Sequence, residues 1–398
     1  MRKLSIYLSG LLLMANTTFA QDDLVAKVAT QGKDVNKIGY QFTTQVDLSV
    51  LPVKNQASSG TCWSYATTSF IESEMARMGN DPVDLSEMFT ARQVYFDKAQ
   101  KYVRMHGHLN FAQGGALPDV LYVIKKYGAV PYSVYTGLEY GEDKNKHGEL
   151  ESVLKSMLDA VIQNRNRRLS TAWLNVVNAT LDAYFGAYPE NFTYNGKSYT
   201  PISFAEKVVK INPDDYVQFT SFTHAPFYEE MYIEVPDNWS WGTSHNLPLD
   251  EMMQNVDNAL DKGYTLSWAT DVSEKGFSVK NGLAIVPSAP FEKMSEDERK
   301  AIFEVPEAEL NITQEMRQIA FDNFETTDDH GMHIVGRSVD QNGNKYYIVK
   351  NSWGDISNPY KDGYIFCSEA FLRYKTISFV VHKDGLTKGT RKNIGVKN

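Results

Sequence analysis

Hydrophobic periodicity changes character part-way along this 398-residue chain, and that change limits the folds open to it. Up to about residue 185 the apolar residues recur at helical spacing. The clearest run is Leu150, Val153, Leu154, Met157, Leu158, Val161 and Ile162, at i, i+3, i+4, i+7 and i+8. Further helices are expected from Cys62 to Met78, Leu85 to about Gln100, Pro118 to Tyr127 and Thr171 to Phe185. The last should turn Trp173, Val176, Leu181 and Tyr184 inward and form a helical hairpin with its predecessor. Beyond it the texture is that of strands. Asn195-Gly196 is a hairpin signal, and Tyr216 to Thr223 and Tyr228 to Val235 alternate. After a short helix from Leu249 to Lys262, strands are expected at Tyr264 to Thr270, His333 to Asp340, Lys345 to Lys350, Gly363 to Cys367 and Thr376 to His382. Helices followed by strands predict an α+β fold.

Composition narrows the function. Hydrophobic residues make up 42% and charged residues 22%, enough apolar material for a sizeable core, which sets aside disorder and coiled coil. Lys and Arg number 40 against 49 Asp and Glu, so the chain lacks the basic footprint of a nucleic-acid binder. Residues 1–20 read as a secretory signal peptide: Arg2 and Lys3, an apolar run from Leu4 to Met14, then Thr18-Phe19-Ala20 before a cut at Gln21. That run is too short to span a bilayer and no other stretch approaches spanning length. The expectation is an exported protein, periplasmic or secreted, with no membrane span after signal removal. An exported chain with only two cysteines, Cys62 and Cys367, is unusual. Cys367 lies in a buried-looking strand and reads as an inert core thiol. Cys62 does not.

A Gly-containing loop, Gln56-Ala57-Ser58-Ser59-Gly60-Thr61, delivers Cys62 to the start of the first apolar helix. There, unpaired backbone N–H groups and the positive end of the helix dipole favour thiolate over thiol. The same amides, with the Gln56 side-chain amide as second donor, can stabilise an oxyanion on a carbonyl that the sulfur attacks. The thiolate needs an imidazolium that later returns a proton to the leaving amine. His330 supplies it, Asn351 offers an oxygen to the other ring nitrogen, and Trp353 keeps water off that bond. The Asn342-Gly343 turn folds the His330 and Asn351 strands into a hairpin. The Asp340 to Asn344 stretch resembles the opening of a calcium loop, but the twelfth-position acid is missing, so it reads as a turn.

Gln56, Gly60-Thr61-Cys62-Trp63, Asp329-His330 and Asn351-Ser352-Trp353-Gly354 together resemble the papain family of cysteine peptidases. Ser59 stands where papain proper has a disulfide cysteine. His330 follows Cys62 at about twice papain's spacing of ~130–150 residues, so a large insertion separates the two halves. Gln113-Gly114-Gly115-Ala116-Leu117-Pro118-Asp119, Lys126 to Pro131, Trp268 to Val272 and Lys361-Asp362-Gly363-Tyr364 narrow the resemblance to the bleomycin hydrolase and bacterial aminopeptidase C branch. It implies a papain-like two-lobed cysteine peptidase fold with a large helical/hairpin insertion. The helical lobe would occupy about 45–135, the insertion 136–260, the strand-rich lobe 261–383 and a tail 384–398. It also implies that Gly114 and Gly115 let a substrate backbone approach and pair, and that Trp353 and Asn398 border the substrate. The Asn398 carboxylate would meet the substrate's α-ammonium, and copies would assemble as a homo-hexamer. The basic tail is shorter than that branch leads one to expect. Its Ile394 and Val396 either lie along the groove or belong to a frayed end.

His106-Gly107-His108 and His333 lack Cys or carboxylate partners at ligand spacing, so no metal and no cofactor are expected. His333, three along a strand from His330, should face the opposite side. The whole points to a cysteine peptidase acting on peptides through Cys62, His330, Asn351 and Gln56, most simply an aminopeptidase. Its rivals are an endopeptidase with an ungated cleft, an acyl transferase, and a non-catalytic peptide-binding protein on the same scaffold.

Overall fold

A computed structural model of the chain describes residues 39–165 and 168–397; the export signal expected at residues 1–20, and Asn398, lie outside them. The described strands are β1 (Thr43–Asp47), β2 (Phe192–Tyr194), β3 (Lys197–Tyr199), β4 (Tyr216–Thr220), β5 (Glu230–Tyr232), β6 (Thr243–Asn246), β7 (Leu266–Thr270), β8 (Phe277–Ser278), β9 (Leu283–Ala284), β10 (His330–Val339), β11 (Lys345–Lys350), β12 (Tyr364–Ser368) and β13 (Thr376–His382). β2 and β3 form a separate hairpin. The others make one sheet in the order β5-β6-β4-β13-β7-β10-β11-β12-β9-β8, with β1 added along β10. β4 stops short of its expected end because the Asn246 side chain takes over the backbone of Phe222, accepting from its N–H at 2.8 Å and donating to its carbonyl at 2.7 Å.

β10 organises the sheet. Its first seven residues are all buried, and it pairs antiparallel with β7 (His330 opposite Thr270) and with β11 (His333 opposite Lys350). The turn joining β10 to β11 is held by Asp340, whose Oδ1 accepts from the N–H groups of Asn342 and Asn344, both at 2.8 Å. The Asp side chain mimics a backbone turn here, the ordinary use of that residue.

The helices run Cys62–Arg77, Glu87–Arg104, Asp119–Tyr127, Gly148–Ile162 and Ala172–Phe185, within a few residues of expectation. Ser86 caps the second, accepting from Phe89 N–H at 3.0 Å, a bond worth ~1 kcal/mol. Leu150, Leu154 and Leu158 are fully buried, each contributing about 1.5–3 kcal/mol. The Ala172–Phe185 helix is turned relative to expectation. Val177, Leu181 and Phe185 face the core, while Val176 is 51% exposed and Trp173 and Tyr184 are only partly buried. The reason is Arg92: buried in the second helix, it pairs with Asp182 and bonds Asn178 at 2.7 Å, and so chooses the face that turns inward.

The Cys62–Arg77 helix is buried from Cys62 to Met75. Phe70, Ile71 and Met75 belong to the core of the helical lobe. Its small polar residues meet the sheet instead, with Thr67 bonded to Ser267 at 2.8 Å and Ser69 to His333 at 3.1 Å. A helix clasped between two lobes shows no simple apolar stripe. A second core, around Trp268, Ile334, Tyr347 and Phe379, lies within the strand-rich lobe. The described part of the tail, as far as Lys397, does not fray. Lys388–Asn393 is a helix whose buried Thr390 bonds Asn255 and Glu251, and Ile394 and Val396 pack on the second core. Among the described residues no helix is long and apolar enough to cross a membrane.

Candidate active site

The loop entering the first helix is fastened to the strand-rich lobe. Gln56 N–H donates to the Ser352 carbonyl at 2.8 Å and Gly354 N–H to the Lys54 carbonyl at 2.9 Å. The Gln56 side chain is fully buried. Its Oε1 accepts from Ser352 Oγ at 2.6 Å, and its Nε2 donates to the Ser59 carbonyl at 2.7 Å. A side-chain amide carries two hydrogens, so one is left beyond the Ser59 bond, although Gln56 is not among the residues that line the cavity of Cys62. Gln113 Oε1 holds Gly60 N–H at 2.6 Å. Thr61 provides no side-chain cap and the first helical turn carries no acid, so none of the helix's own side chains offsets its positive end at Cys62.

His330 opens β10. Its Nε2 and Asn351 Oδ1 are 2.8 Å apart, with the ring N–H donating, and the Trp353 ring stacks on the imidazole at a centroid distance of 4.5 Å. Asn351 Oδ1 also accepts from Ser352 N–H at 2.8 Å, which fixes the amide's orientation. With Nε2 committed, Nδ1 is the nitrogen available for proton exchange. Gly331 follows, and a Cβ there would lie 3.2 Å from the Trp63 N and Cα atoms and 3.3 Å from the Cys62 carbonyl carbon. The missing side chain lets β10 run directly against the first helical turn. Cys62 and His330 accordingly wall one cavity.

Burial pushes the His330 imidazole down to about 4, and the bond to Asn351 acts in the opposite direction. A charged imidazole here therefore needs an anion beside it, and a thiolate is such an anion. The residue before it, Asp329, accepts from the N–H groups of Val272 at 2.8 Å and Ser273 at 3.1 Å. Burial and the neighbouring Asp271 carboxylate hold the Asp329 carboxyl well above the usual range. This clamp fixes the segment that delivers His330.

A Cβ on Gly114 would sit 1.8 Å from the Asp237 carboxylate, and one on Gly115 would sit 2.8 Å from the Trp63 ring and 2.9 Å from the Asp119 carboxylate. Both glycines line the cavity that Cys62 and His330 share, while the side that a Cβ would take is filled by the protein's own side chains. Trp353 lies behind His330, 5% exposed, and forms no part of the cavity wall; it shields the His330–Asn351 bond. His333 points beneath the helix to Ser69. Cys367 is fully buried, which pushes its thiol well up, and neither cysteine is in a disulfide. Among the described residues no group of three or more His, Cys, Asp or Glu is placed to hold a metal.

Sequence reasoning missed two acids on the same cavity wall, Asp237 and Asp328. Burial and the carboxylates of Asp237 and Asp271 push Asp328 up to about 8. Asp328 adjoins the Asp329-His330 motif and was within reach of it. Asp237 comes from the insertion, and no local pattern places it there.

Residues 99–396 match the Peptidase C1-like family. The chain is 23% identical over 417 residues to aminopeptidase C of Streptococcus thermophilus, covering 92% of this chain and 87% of that protein. It is 24% identical over 418 residues to the mitochondrial cysteine proteinase 1 of Saccharomyces cerevisiae, covering 93% and 81%. Its fold is similar to the crystal structure of PepW from Lactobacillus rhamnosis, with a TM-score of 0.69 at 20% identity over 89% of this chain and 84% of that one. With the papain-like fold and this match over most of its length, the chain belongs to the Peptidase C1-like family and is a cysteine-type peptidase of the aminopeptidase C and bleomycin hydrolase branch.

Proposed function

We propose that the protein releases residues from the N-terminus of peptides. In this reading Cys62 is the nucleophile and His330 its proton partner. Asn351 orients His330, and Gln56 together with the amides at the helix start stabilises the oxyanion. The observation that carries it is the shared cavity, where Cys62 and a His330 held through Nε2 stand on one wall. Cys62 Sγ attacks the peptide carbonyl carbon, and the oxyanion takes the remaining Gln56 Nε2 hydrogen and a helix-start amide. His330 gives a proton to the departing amine, leaving a thioester. Water then adds to the thioester, His330 accepts its proton, and the released acid regenerates the Cys62 thiolate beside an imidazolium. An N-terminal mode of cutting is supported by the near full-length similarity to a protein named aminopeptidase C.

Digestion of matched peptides with free and acetylated N-termini, followed by mass spectrometry, tests this. Stepwise loss of residues from the free peptides alone is expected, and Cys62→Ala should abolish it. Internal cuts in acetylated peptides would replace the reading with an endopeptidase, and no products from either would leave a peptide-binding protein. Export is proposed on residues 1–20: protein recovered from periplasm or medium should begin at Gln21, and an intact Met1 start there would contradict it. Sedimentation of the purified chain tests the hexamer that the family resemblance implies.

A further inference from the structure

Three carboxylates line the cavity that holds Cys62, and His330 is the one basic side chain among its described lining residues. Two of the three are already engaged. Asp329 is spent on the amides of Val272 and Ser273. Asp237 accepts from Asn110 Nδ2 at 3.0 Å and feels the buried Lys98, whose ammonium bonds the Gly114 carbonyl. Asp328 differs. Among the described residues its carboxyl has no hydrogen-bond or ion-pair partner, and the charges acting on it are those of Asp237 and Asp271. Asp328 is part-buried and two like charges act on it, a placement that is costly for a carboxylate unless something supplies a compensating cation. The rest of the wall includes apolar Leu117, Ile233, Val235 and Ile377.

We propose that Asp328, with Asp237 beside it, receives the α-ammonium of the substrate's N-terminal residue. The inference rests on the aminopeptidase reading and names the group that would enforce it. Position favours an α-ammonium over a side-chain cation. Asp328 is two residues from His330, a span of about 7 Å along an extended chain, on the wall that also carries Cys62. An α-ammonium is separated from the scissile carbonyl by a single carbon, so its binding group has to stand that close to the reacting atoms. A lysine ammonium rides at the end of a long flexible stem and has no such constraint. The apolar walls then take the first side chain. An acetylated N-terminus brings no charge to pair with these acids. The described tail ends beside this cavity: Val396 and Lys397 line a hollow with Asp214, Tyr216 and Gln218, and Gln218 also lines the cavity that holds Cys62.

The test is binding to the full chain carrying Cys62→Ala, measured by calorimetry at pH 7.5 with three probes: leucyl-alanine amide, its N-acetyl form, and N-acetyl-lysyl-alanine amide. The free dipeptide amide should bind at least about tenfold more tightly than either acetylated probe. Adding Asp328→Asn should bring the first two within about twofold of each other, and Asp237→Asn should narrow the gap by at least about threefold. Equal binding of the first two probes would overturn the proposal, as would a preference that survives both substitutions. Tightest binding of the acetyl-lysyl probe would assign the acids to a basic side chain instead. Should Asp328→Asn fail to fold, judged by its unfolding temperature, the parent comparison and Asp237→Asn decide. Selective binding without release of N-terminal residues by the unsubstituted enzyme would sink the aminopeptidase reading alone. Stepwise release without selective binding would sink this proposal alone.

Discussion

His330 Nε2 and Asn351 Oδ1 meet at 2.8 Å just where β10 begins and β11 has ended, under the ring of Trp353. The bond favours the imidazolium, against the burial that pushes His330 down to about 4. Asn351→Ala removes that support, so the imidazolium is lost at a lower pH than in the parent. The alkaline limb of kcat/KM should therefore move to lower pH. In the same variant kcat should fall by about 10²-fold, the low end of what a positioned acid–base group contributes, with KM within about twofold. An unmoved alkaline limb would remove Asn351 from the mechanism.

Gly331 sets the distance between β10 and the start of the first helix. A methyl group there meets Trp63 and Cys62 backbone at 3.2–3.3 Å, closer than ordinary contact, and backbone yields little. Gly331→Ala should part Cys62 from His330 by a few tenths of an ångström and lower kcat at least about tenfold, since misplacements near 1 Å cost about 10²-fold. Far-UV circular dichroism should be unchanged. Full activity in this variant would mean that the approach of β10 to the helix is not critical.

Gln56 ties the two lobes together, and in the proposed mechanism it also donates to the oxyanion. Gln56→Ala should lower kcat by about 10²–10³-fold with little change in KM. It also leaves the Ser352 hydroxyl without its acceptor, at a cost of about 1–3 kcal/mol, so the unfolding temperature should fall as well. A loss confined to KM would make Gln56 a substrate-binding group.

Much of this site was legible in the sequence because its parts sit in short local patterns. Cys62 stands at a helix start, and His330 and Asn351 flank a hairpin whose turn is written in Asp340 to Asn344. What was not legible depends on partners distant in the chain. Asp237 fills the space that Gly114 leaves, 123 positions earlier by numbering (237 − 114), and a Gly-Gly pair alone cannot say what occupies that space. The inward face of Ala172–Phe185 follows from Arg92, which periodicity does not register. The short helices Glu296–Ala301 and Gln314–Asp322 were also missed. The first has no buried residue and rests on its Ser295–Glu298 capping box, while the second buries Arg317 and Gln318 rather than an apolar stripe.

The tail offers a way to separate two sources of the anion that selects a free N-terminus. Ile394 and Val396 pack on the second core, and Val396 and Lys397 border a hollow that shares Gln218 with the Cys62 cavity. If Asp328 is the selecting acid, deleting Val396–Asn398 should leave acetylated peptides uncut and free peptides still trimmed, because Asp328 remains. If acetylated peptides become substrates, the terminal carboxylate is the gate that the family resemblance implies.

The central claim is that Cys62 is a thiolate held beside His330 and does the chemistry. Alkylation with iodoacetamide at pH 6, followed over time by peptide mapping and by residual peptidase activity, tests it most directly. Cys62 should be carboxamidomethylated far faster than the fully buried Cys367, whose thiol burial holds well up, and activity should vanish in step with the Cys62 label. Equal labelling of the two cysteines, or activity that outlasts complete modification of Cys62, would contradict the account.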